Sequence, residues 1–447
     1  MIKSLLSDLA SRFGRARQHA PSATQQAGAA IPRLTYRRGG AILALATPSA
    51  GDSLRQMLLD VLAPLRPYCD DFVLLDLNAP GWVAKFKAVS ENPIWFVMSP
   101  FGAGERLGHA GATVNPWAAA GIPFIRAFGD TPAYFPSAHI QHFRNSINCY
   151  AHAEHQDFFI RWFARKAPCV AVPLYPFDAR PKESVDLHRK AASGTIVFPK
   201  NGNCPDRLIE YWRTSLPPAA SEALEAVAEI GDAALDEPID LLTELQRYFA
   251  DLGVCLPENQ HLIFFLIAQL DDYLRRKKST LIARSVLDYP VVIRGAHWDH
   301  VDFQGRRARH DPDPDYDRTR QVLDDSVAIL DMSPNTQRGA HDRVLRAAGR
   351  YTAFLTDRQQ FYADNFENYR AFTFLFNPDA VRERVETALA RPRDTVEMGV
   401  IQGERMRELL TAENYVKQLL AAVDACALSC AGSPPGTQNF VHYEPLA

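Results

Sequence analysis

The chain has 447 residues, enough for two or three domains with substantial hydrophobic cores. Hydrophobic residues make up 47% and charged residues 23% of the chain, which is typical of a globular protein in water. Its 49 Lys and Arg residues nearly balance 52 Asp and Glu residues, so the basic excess of a general nucleic-acid binder is missing and we expect no nucleic-acid partner.

Residues 1–35 are predicted to form an amphipathic helix followed by a linker. Ile2, Leu5, Leu9 and Phe13 share one helical face, and the segment from 18 to 32 is rich in Ala, Gln, Ser and Pro. The apolar face favours docking on the protein itself or on a partner, with peripheral contact to an anionic membrane surface as the open alternative. No apolar run reaches the roughly 18 residues of a membrane-spanning helix, and we expect a cytoplasmic protein, with the inner membrane face as a possible site of contact.

Residues 36–190 form the first predicted domain. Its apolar runs predict strands at 41–46, 72–77, 94–98, 122–127 and 169–172, separated by helical stretches. Strands that alternate with helices in this way indicate a parallel, doubly wound sheet. Ligands of such sheets collect beyond the carboxyl ends of the strands, so Asp130, after the fourth strand, is a candidate functional residue.

Residues 191–405 form the second predicted domain. Strands are predicted at 196–198, 291–294, 327–330, 352–356 and 372–375, with a helical segment over 206–287 and a helix at 380–389. The helical segment is broken where Pro217, Pro238 and Pro257 interrupt it. A C-terminal helix is predicted over 404–428. The last segment, 406–447, contains most of this helix and the loose tail after it.

The stretch from Ser326 to Asp357 reads as a strand, a loop, a helix and a second strand. Gly339 lies just before the helix, so backbone N–H groups near Gly339–Asp342 are left without helical acceptors, beside Arg338. Such a helix start favours a phosphate or diphosphate. An ordinary crossover without a ligand is the alternative, because these units are common in α/β domains.

This stretch resembles the donor-binding segment of GT-B glycosyltransferases, and it is most similar to the group-1 and CgeB-like branch. The matching positions are Gly339, His341, Arg343, Ala347, Gly349, Thr356 and Asp357. Gly295 with Trp298, and Asn377-Pro378-Asp379, fit neighbouring motifs of that branch. Arg346 stands where the family pattern has a glutamate that holds the ribose of the donor.

The resemblance implies an α/β, GT-B-like fold: two Rossmann-like domains facing across a cleft, with the helical segment inserted in the second. It implies a nucleotide-sugar as donor substrate, an acceptor that is a glycan, a lipid-linked glycan or a protein, and neither a metal nor a cofactor. The residues expected to bind the donor phosphates are Arg294, Arg338, Gly339, Ala340, His341 and Arg343. Trp298 and Asp357 are expected to contact the sugar or the base.

An inverting sugar transfer needs a general base for the acceptor hydroxyl, and the first domain should supply it. Asp130 is the first choice, and the alternative for it is a turn residue before Pro132. The histidines at 139, 142, 152 and 155 are further candidates because imidazole titrates near neutral pH. Among them, His142 is expected to be catalytic.

Three other patterns could indicate metal or disulfide sites, and each has a simpler interpretation. His152 and His155 lack a third ligand, so we expect them to face solvent or the core. Asp311, Asp313 and Asp315 alternate with prolines and are interpreted as a solvated loop rather than a D-x-D metal motif. The seven cysteines are scattered, which favours reduced thiols over a disulfide framework or a zinc site.

The sequence therefore predicts a metal-independent glycosyltransferase. Two alternatives stay open. One is a non-catalytic GT-B-like protein used for binding or as a scaffold, and the other is a sugar-nucleotide epimerase or hydrolase on the same fold.

Overall fold

The structure is a computed structural model that describes residues 34–46, 53–105, 107, 115–140, 143–163, 167–253, 260–313 and 315–431. Within these residues the chain forms two compact units. We call residues 34–175, together with those from 410 onward, the N-terminal unit, and residues 176–409 the C-terminal unit. The predicted N-terminal amphipathic helix and the loose tail from 432 onward lie outside the described residues.

The N-terminal unit is built on a six-stranded parallel sheet. Its strands are β1 (Tyr36–Ala46), β2 (Phe72–Asp76), β3 (Ile94–Pro100), β4 (Phe124–Phe128), β5 (Ser146–Tyr150) and β6 (Cys169–Ala171), in the spatial order β2-β1-β3-β4-β5-β6. Its helices are α1 (Ser53–Leu62), α2 (Trp82–Ser90), α3 (Pro116–Ala119), α4 (Pro136–Ile140) and α5 (Ala153–Trp162), with a 3-10 helix at Ala63–Tyr68. Residues 40–46 of β1 and nearly all of β3 are buried on both faces, as parallel strands covered by helices must be.

The C-terminal unit has a second six-stranded parallel sheet. Its strands are β7 (Ile196–Pro199), β8 (Val291–Arg294), β9 (Arg309–Asp311), β10 (Ala328–Leu330), β11 (Ala353–Asp357) and β12 (Thr373–Phe374), in the order β12-β11-β10-β7-β8-β9. Its helices are α6 (Leu187–Ser193), α7 (Pro205–Ser215), α8 (Pro218–Ala233), α9 (Leu241–Asp251), α10 (Gln260–Ser285), α11 (Tyr316–Asp324), α12 (Asp342–Gly349), α13 (Gln360–Asn365), α14 (Pro378–Ala390) and α15 (Pro392–Leu409). Short 3-10 helices lie at Lys182–Ser184 and Tyr369–Ala371.

The strand order of the C-terminal unit has one reversal, between β7 and β10. From β7 the chain winds outward through β8 to β9, and then returns to β10 on the other side of β7. Helices of the two halves therefore lie on opposite faces, and a crevice opens beyond the carboxyl ends of β7 and β10. This switch point is the place where a doubly wound sheet binds its ligand.

Helix α15 fixes the position of β11 and α12. A Cβ atom at Gly399 would lie 2.5 Å from the Ala353 amide nitrogen, and one at Gly403 would lie 2.8 Å from the Ala348 carbonyl oxygen. This close approach lets the Gln402 side chain donate to the Phe354 carbonyl and accept from the Phe354 amide, at 3.1 and 3.0 Å. The two glycines are therefore required for α15 to support the switch point.

The structure confirms the prediction of an α/β fold with two Rossmann-like units. The single helix predicted over 404–428 is wrong: α15 ends at Leu409 and α16 (Ala412–Ala431) begins after a short break. Helix α16 joins the N-terminal unit, where Tyr415 packs on Tyr175 with ring centroids 5.1 Å apart. The compact units divide at 175/176 and 409/410, while the domain boundaries expected near 190 and 405 stay predictions.

Helices of the described ranges all lack either the length or the apolar character needed to cross a membrane.

Candidate functional site

The buried carboxylate of Asp331 organises the switch point. Asp331 directly follows β10, is fully buried, and accepts a hydrogen bond from Arg343 Nε at 2.7 Å. Arg343, in the first turn of α12, also donates to the Pro199 carbonyl at the end of β7, at 3.0 Å, and to the Met332 carbonyl at 3.4 Å. One arginine therefore bridges the two strands between which the crevice opens, and it fixes the start of α12 above them.

His341 lies immediately before α12, between two carboxylates. Its Nδ1 contacts Asp331 at 3.1 Å, and its Nε2 contacts Asp342 at 2.9 Å. Burial and Arg343 oppose the charged imidazole, but the two carboxylates outweigh them and raise the pKa of His341. Burial likewise opposes ionisation of Asp331, yet His341 and Arg343 lower the pKa of that carboxyl. His341 therefore does not cap its helix through its side chain; it forms a charged network with Asp331.

The start of α12 offers backbone donors, as the sequence predicted. In the part of the chain that the structure describes, the amides of Gly339 and Ala340 donate to no acceptor. The hydroxyl of Thr336, in the same loop, is buried without a hydrogen-bond partner. Arg338 is exposed beside them. Buried polar groups are nearly always paired, so this corner has donors for a bound anion.

The loop from 333 to 337 is held from two sides. Asp357, at the end of β11, accepts from the Ser333 amide at 2.7 Å and from the Ser333 hydroxyl at 2.8 Å. On the other side Asn335 has a left-handed φ of 58°, which an L side chain rarely adopts, and its amide donates to Asp271 at 2.8 Å. Lys278 of α10 donates to the Asn335 side-chain oxygen at 3.0 Å. The loop is thus preorganised before any ligand arrives.

Lys278 and Asp357 are both buried, and each offsets the other's charge. Burial lowers the pKa of Lys278, and Asp357 opposes that shift; burial raises the pKa of Asp357, and Lys278 opposes that one. Since Asp357 is only 2% exposed and its oxygens serve Ser333, it holds the loop in this arrangement. The expected contact of Asp357 with a sugar or base stays a prediction.

The loops after β7 and β8 are joined to each other beside the crevice. Asn201 Oδ1 accepts from the Ala296 amide at 2.9 Å, and Trp298 Nε1 donates to the Lys200 carbonyl at 2.8 Å. A Cβ atom at Gly202 would lie 2.2 Å from the Trp298 ring, so the ring packs flat against this glycine. Trp298 is 1% exposed in this arrangement, and its contact with a sugar or base stays a prediction.

Arg294, predicted to bind phosphate, is engaged by the acidic segment after β9. Its guanidinium contacts Asp311, lies 3.3 Å from Asp313, and donates to Thr319 Oγ1 at 2.8 Å. The interpretation of Asp311–Asp315 as a solvated loop is therefore wrong in part, because Asp311 belongs to strand β9 and pairs with a buried arginine. In this arrangement Arg294 has a structural partner, and its phosphate contact stays a prediction.

Arg346 lies between two aromatic rings. Its guanidinium carbon is 4.3 Å from the centroid of Phe177 and 4.3 Å from that of Tyr316, and its Nε is 3.5 Å from Asp342. Arginine stacks well on aromatic faces, so this side chain connects α12 to α11 and to the segment at 177. The position that the GT-B pattern reserves for a ribose-binding glutamate is thus a packing position in this chain.

The strand ends of the N-terminal unit carry the predicted base. Asp130 is half-buried and lies two residues beyond the end of β4. Beside it, aromatic rings gather: Phe101 packs against Phe128 and Phe135 with centroids 5.8 and 5.2 Å apart. Phe101 has a left-handed φ of 52° and follows β3 directly, and Phe135 is 43% exposed. His142, the second expected catalytic residue, lies outside the described residues.

The histidines that the structure describes in this unit, at 139, 152 and 155, are core residues. His139 is 1% exposed, and its Nδ1 lies 2.7 Å from the Tyr150 hydroxyl oxygen. Burial, helped by the nearby Arg126 charge, lowers the pKa of His139 to about 3, so it is neutral at physiological pH. His152 and His155 are buried and pack against each other. In the described residues no group of three or more His, Cys, Asp or Glu side chains is placed to hold a metal ion, and metal independence stays a prediction.

Three residues in or around the strand-end loops of the C-terminal unit were missed from the sequence. Asp331 is a single carboxylate after a strand, and its partners lie in the next helix. Lys278 sits in a long helix among other basic residues. His297, exposed after β8 with a left-handed φ of 67°, follows Gly295 as an ordinary loop residue would. A polar residue directly after a buried strand was the only available signal, and it could have indicated Asp331.

Comparison with known proteins gives one match in sequence. Residues 275–421, from α10 to α16, match a protein family described as glycosyl transferase-like. No curated protein matches the chain in sequence.

Solved structures match most of the chain at low similarity. An alpha-glucosyltransferase in complex with UDP and a 13-mer DNA has 7% identity and a TM-score of 0.47, and the Anabaena protein HepE in complex with UDP-glucose has 8% and 0.46. Sucrose-phosphate synthase from Thermosynechococcus elongatus has 9% and 0.43. Each match covers 86% of this chain and 99% of the other. At these TM-scores the similarity indicates neither the fold nor the function of this chain. The fold described for it follows from the order and direction of its own strands.

Proposed function

We propose that this protein is a glycosyltransferase that moves a sugar from a nucleoside-diphosphate donor to a glycan, lipid or protein acceptor. The observation that carries the proposal is the glycosyl transferase-like match over residues 275–421, which contains β8 and the whole segment from β10 to β11 at the switch point. The placement in the group-1 and CgeB-like branch of GT-B enzymes is part of the same proposal.

The leaving group of such a transfer is a nucleoside diphosphate, whose charge must be stabilised. The amides of Gly339 and Ala340 and the side chain of Arg338 supply donors and positive charge at the start of α12. Arg343 and His341 hold that start through Asp331, so we assign them a positioning role. Because these groups are fixed in advance, we propose that the transfer needs no metal ion.

The acceptor hydroxyl must lose a proton during an inverting transfer. We propose Asp130 as the base, since it is a partly exposed carboxylate beyond a strand end of the N-terminal unit. The exposed ring of Phe135, five residues further along the chain, suits an acceptor with an apolar sugar face.

The test is a thermal-shift panel with uridine, guanosine and thymidine diphosphates, because a ligand that binds only the folded state raises the melting temperature. Arg338→Ala should weaken the affinity for the stabilising nucleotide by about tenfold, the effect of one charged hydrogen bond. Arg306→Ala, which removes an exposed arginine paired with Asp288, is the matched control. If no nucleotide shifts the melting temperature, the donor proposal fails.

The position of Arg346 favours a second candidate, a non-catalytic protein of the same fold. A guanidinium held between Phe177 and Tyr316 does not accept the hydroxyls of a ribose. In that case nucleotides would bind, yet no donor turnover would occur with any acceptor. Donor turnover without a glycosylated acceptor would instead indicate a hydrolase or an epimerase.

A further inference from the structure

A cavity of about 440 Å³ opens among α7, α10 and α14 of the C-terminal unit. Its polar lining consists of Lys277, Thr280, Arg284, Ser285, Arg382 and Asp206. Asp331, His341, Arg343 and the loop from 333 to 340 do not line it, so it is a different site from the switch point.

Three cations and one carboxylate face this cavity. Lys277 pairs with Asp232 at 2.9 Å, and Arg382 pairs with Asp379 at 2.5 Å, but neither of these acids lines the cavity. Arg284 is exposed, and within the described residues it has neither a hydrogen bond nor an ion pair. Lys277 and Arg382 thus share their charge with acids outside the cavity, and Arg284 supplies the positive charge that is open to an anion.

Two helices begin at the same cavity. Helix α7 starts at Pro205 and α14 at Pro378, and both residues line the cavity. The N-terminal end of a helix carries partial positive charge, which Asp206 and Asp379 in the first turns of α7 and α14 offset in part. The hydroxyl of Thr280 contributes a hydrogen-bonding group and is itself held 3.0 Å from His300 Nε2.

We propose that this cavity binds a small molecule that carries a phosphoryl group. Arginine presents a planar fork that matches phosphate oxygens, and two arginines and a lysine converge here. The volume lies within the range of roughly 300–1,000 Å³ that is usual for small-molecule sites. The proposal is independent of the proposed donor site.

Isothermal titration with inorganic pyrophosphate at low ionic strength tests the proposal. Arg284→Gln should weaken pyrophosphate binding by about tenfold, the effect of losing a charged hydrogen bond. Arg207→Gln is the matched control, because Arg207 is an exposed arginine in the first turn of α7 that pairs with Asp299 and does not line the cavity. This control should bind as the native protein does.

Pyrophosphate can also enter the donor site, so Arg338→Ala is titrated in parallel. Binding that weakens in Arg284→Gln and persists in Arg338→Ala supports the cavity. The proposal is overturned if millimolar pyrophosphate gives no binding, or if only Arg338→Ala weakens it. Loss of nucleoside-diphosphate binding alone would defeat the proposed donor site and leave the cavity proposal standing.

Discussion

At the carboxyl ends of its strands the C-terminal unit gathers charged side chains that hold one another, whereas the N-terminal unit gathers aromatic rings. Asp331, directly after β10, binds Arg343 of α12, and Asp357, the last residue of β11, binds Ser333 in the loop after β10. Phe101 and Phe128 lie at the ends of β3 and β4 and pack on each other. Both sheets are parallel and six-stranded, so the topology decides where side chains collect and the sequence decides which chemistry they have.

The strand orders add to this difference. In the C-terminal unit the reversal falls between β7 and β10, where Arg343 bridges the two strand ends. In the N-terminal unit it falls between β1 and β3, next to the left-handed Phe101. Backbone strain therefore accompanies both switch points, at Phe101 in one unit and at Asn335 in the other.

The largest expected effect comes from breaking the charged network. Asp331→Ala leaves Arg343 and His341 partly buried without their shared carboxylate, and this change should lower the free energy of unfolding by about 3–5 kcal/mol. Asp288→Ala removes an exposed partner of Arg306 and should cost only about 0–1 kcal/mol. Urea denaturation measures both. Equal losses in the two variants would mean that the network adds nothing beyond a surface pair.

Asp130→Asn tests the role of the N-terminal unit. The amide cannot take up the acceptor proton, so the rate of transfer should fall by about 10²–10⁴-fold while nucleotide affinity stays unchanged. Asp70→Asn, at an exposed position paired with Arg37, is the control and should keep full activity. Full activity of the Asp130→Asn variant would assign the base to another residue.

Two histidines, one in each unit, should give opposite pH dependence. The depressed pKa of His139, about 3, means that stability is present above its ordinary pKa of 6.5 and falls as the pH drops toward 3. Over this pH range the free energy of unfolding should fall by about 1.4 kcal/mol for each pH unit. The raised pKa of His341 means the reverse: its contribution is present below about 6.5 and is lost as the pH rises through the folded-state value.

Urea unfolding of His139→Gln and His341→Gln across the pH range separates the two contributions. The first variant should flatten the acidic side of the stability profile, and the second should flatten the alkaline side. Identical profiles in both variants would contradict the assigned charge states.

The smallest expected effect concerns the left-handed backbone at Asn335. Asn335→Gly and Asn335→Ala both lose the contacts to Asp271 and Lys278, so they differ only in backbone preference. The glycine variant should be more stable than the alanine variant by about 1 kcal/mol, because alanine disfavours a positive φ. A more stable alanine variant would show that the loop relaxes to another conformation.

The sequence predicted the strand–loop–helix–strand unit of the C-terminal sheet correctly, because its apolar runs and its glycines agree with one another. It missed β5, since Ser146 and Asn148 interrupt the apolar pattern. Both are buried, and Asn148 donates to the His139 carbonyl at 2.9 Å. A polar residue whose hydrogen bonds are satisfied within the fold cannot be told from an exposed one by its type alone.

Strand β9 and the charged network were missed for a related reason. Arg309 to Asp311 has no apolar residue, yet it forms an edge strand because Asp311 pairs with Arg294 from the neighbouring strand. Asp331, His341 and Arg343 meet only after the chain has folded. Local patterns determined the elements, whereas pairing between distant charges determined the details of the site.

The stacked position of Arg346 has a consequence for anyone who redesigns this protein. A glutamate at 346 would place an anion between two π faces, which repel it, and near the carboxylate of Asp342. Accommodating a glutamate there would require replacing Phe177 and Tyr316 as well. A ribose-binding carboxylate at this position therefore depends on three coupled changes, at 177, 316 and 346.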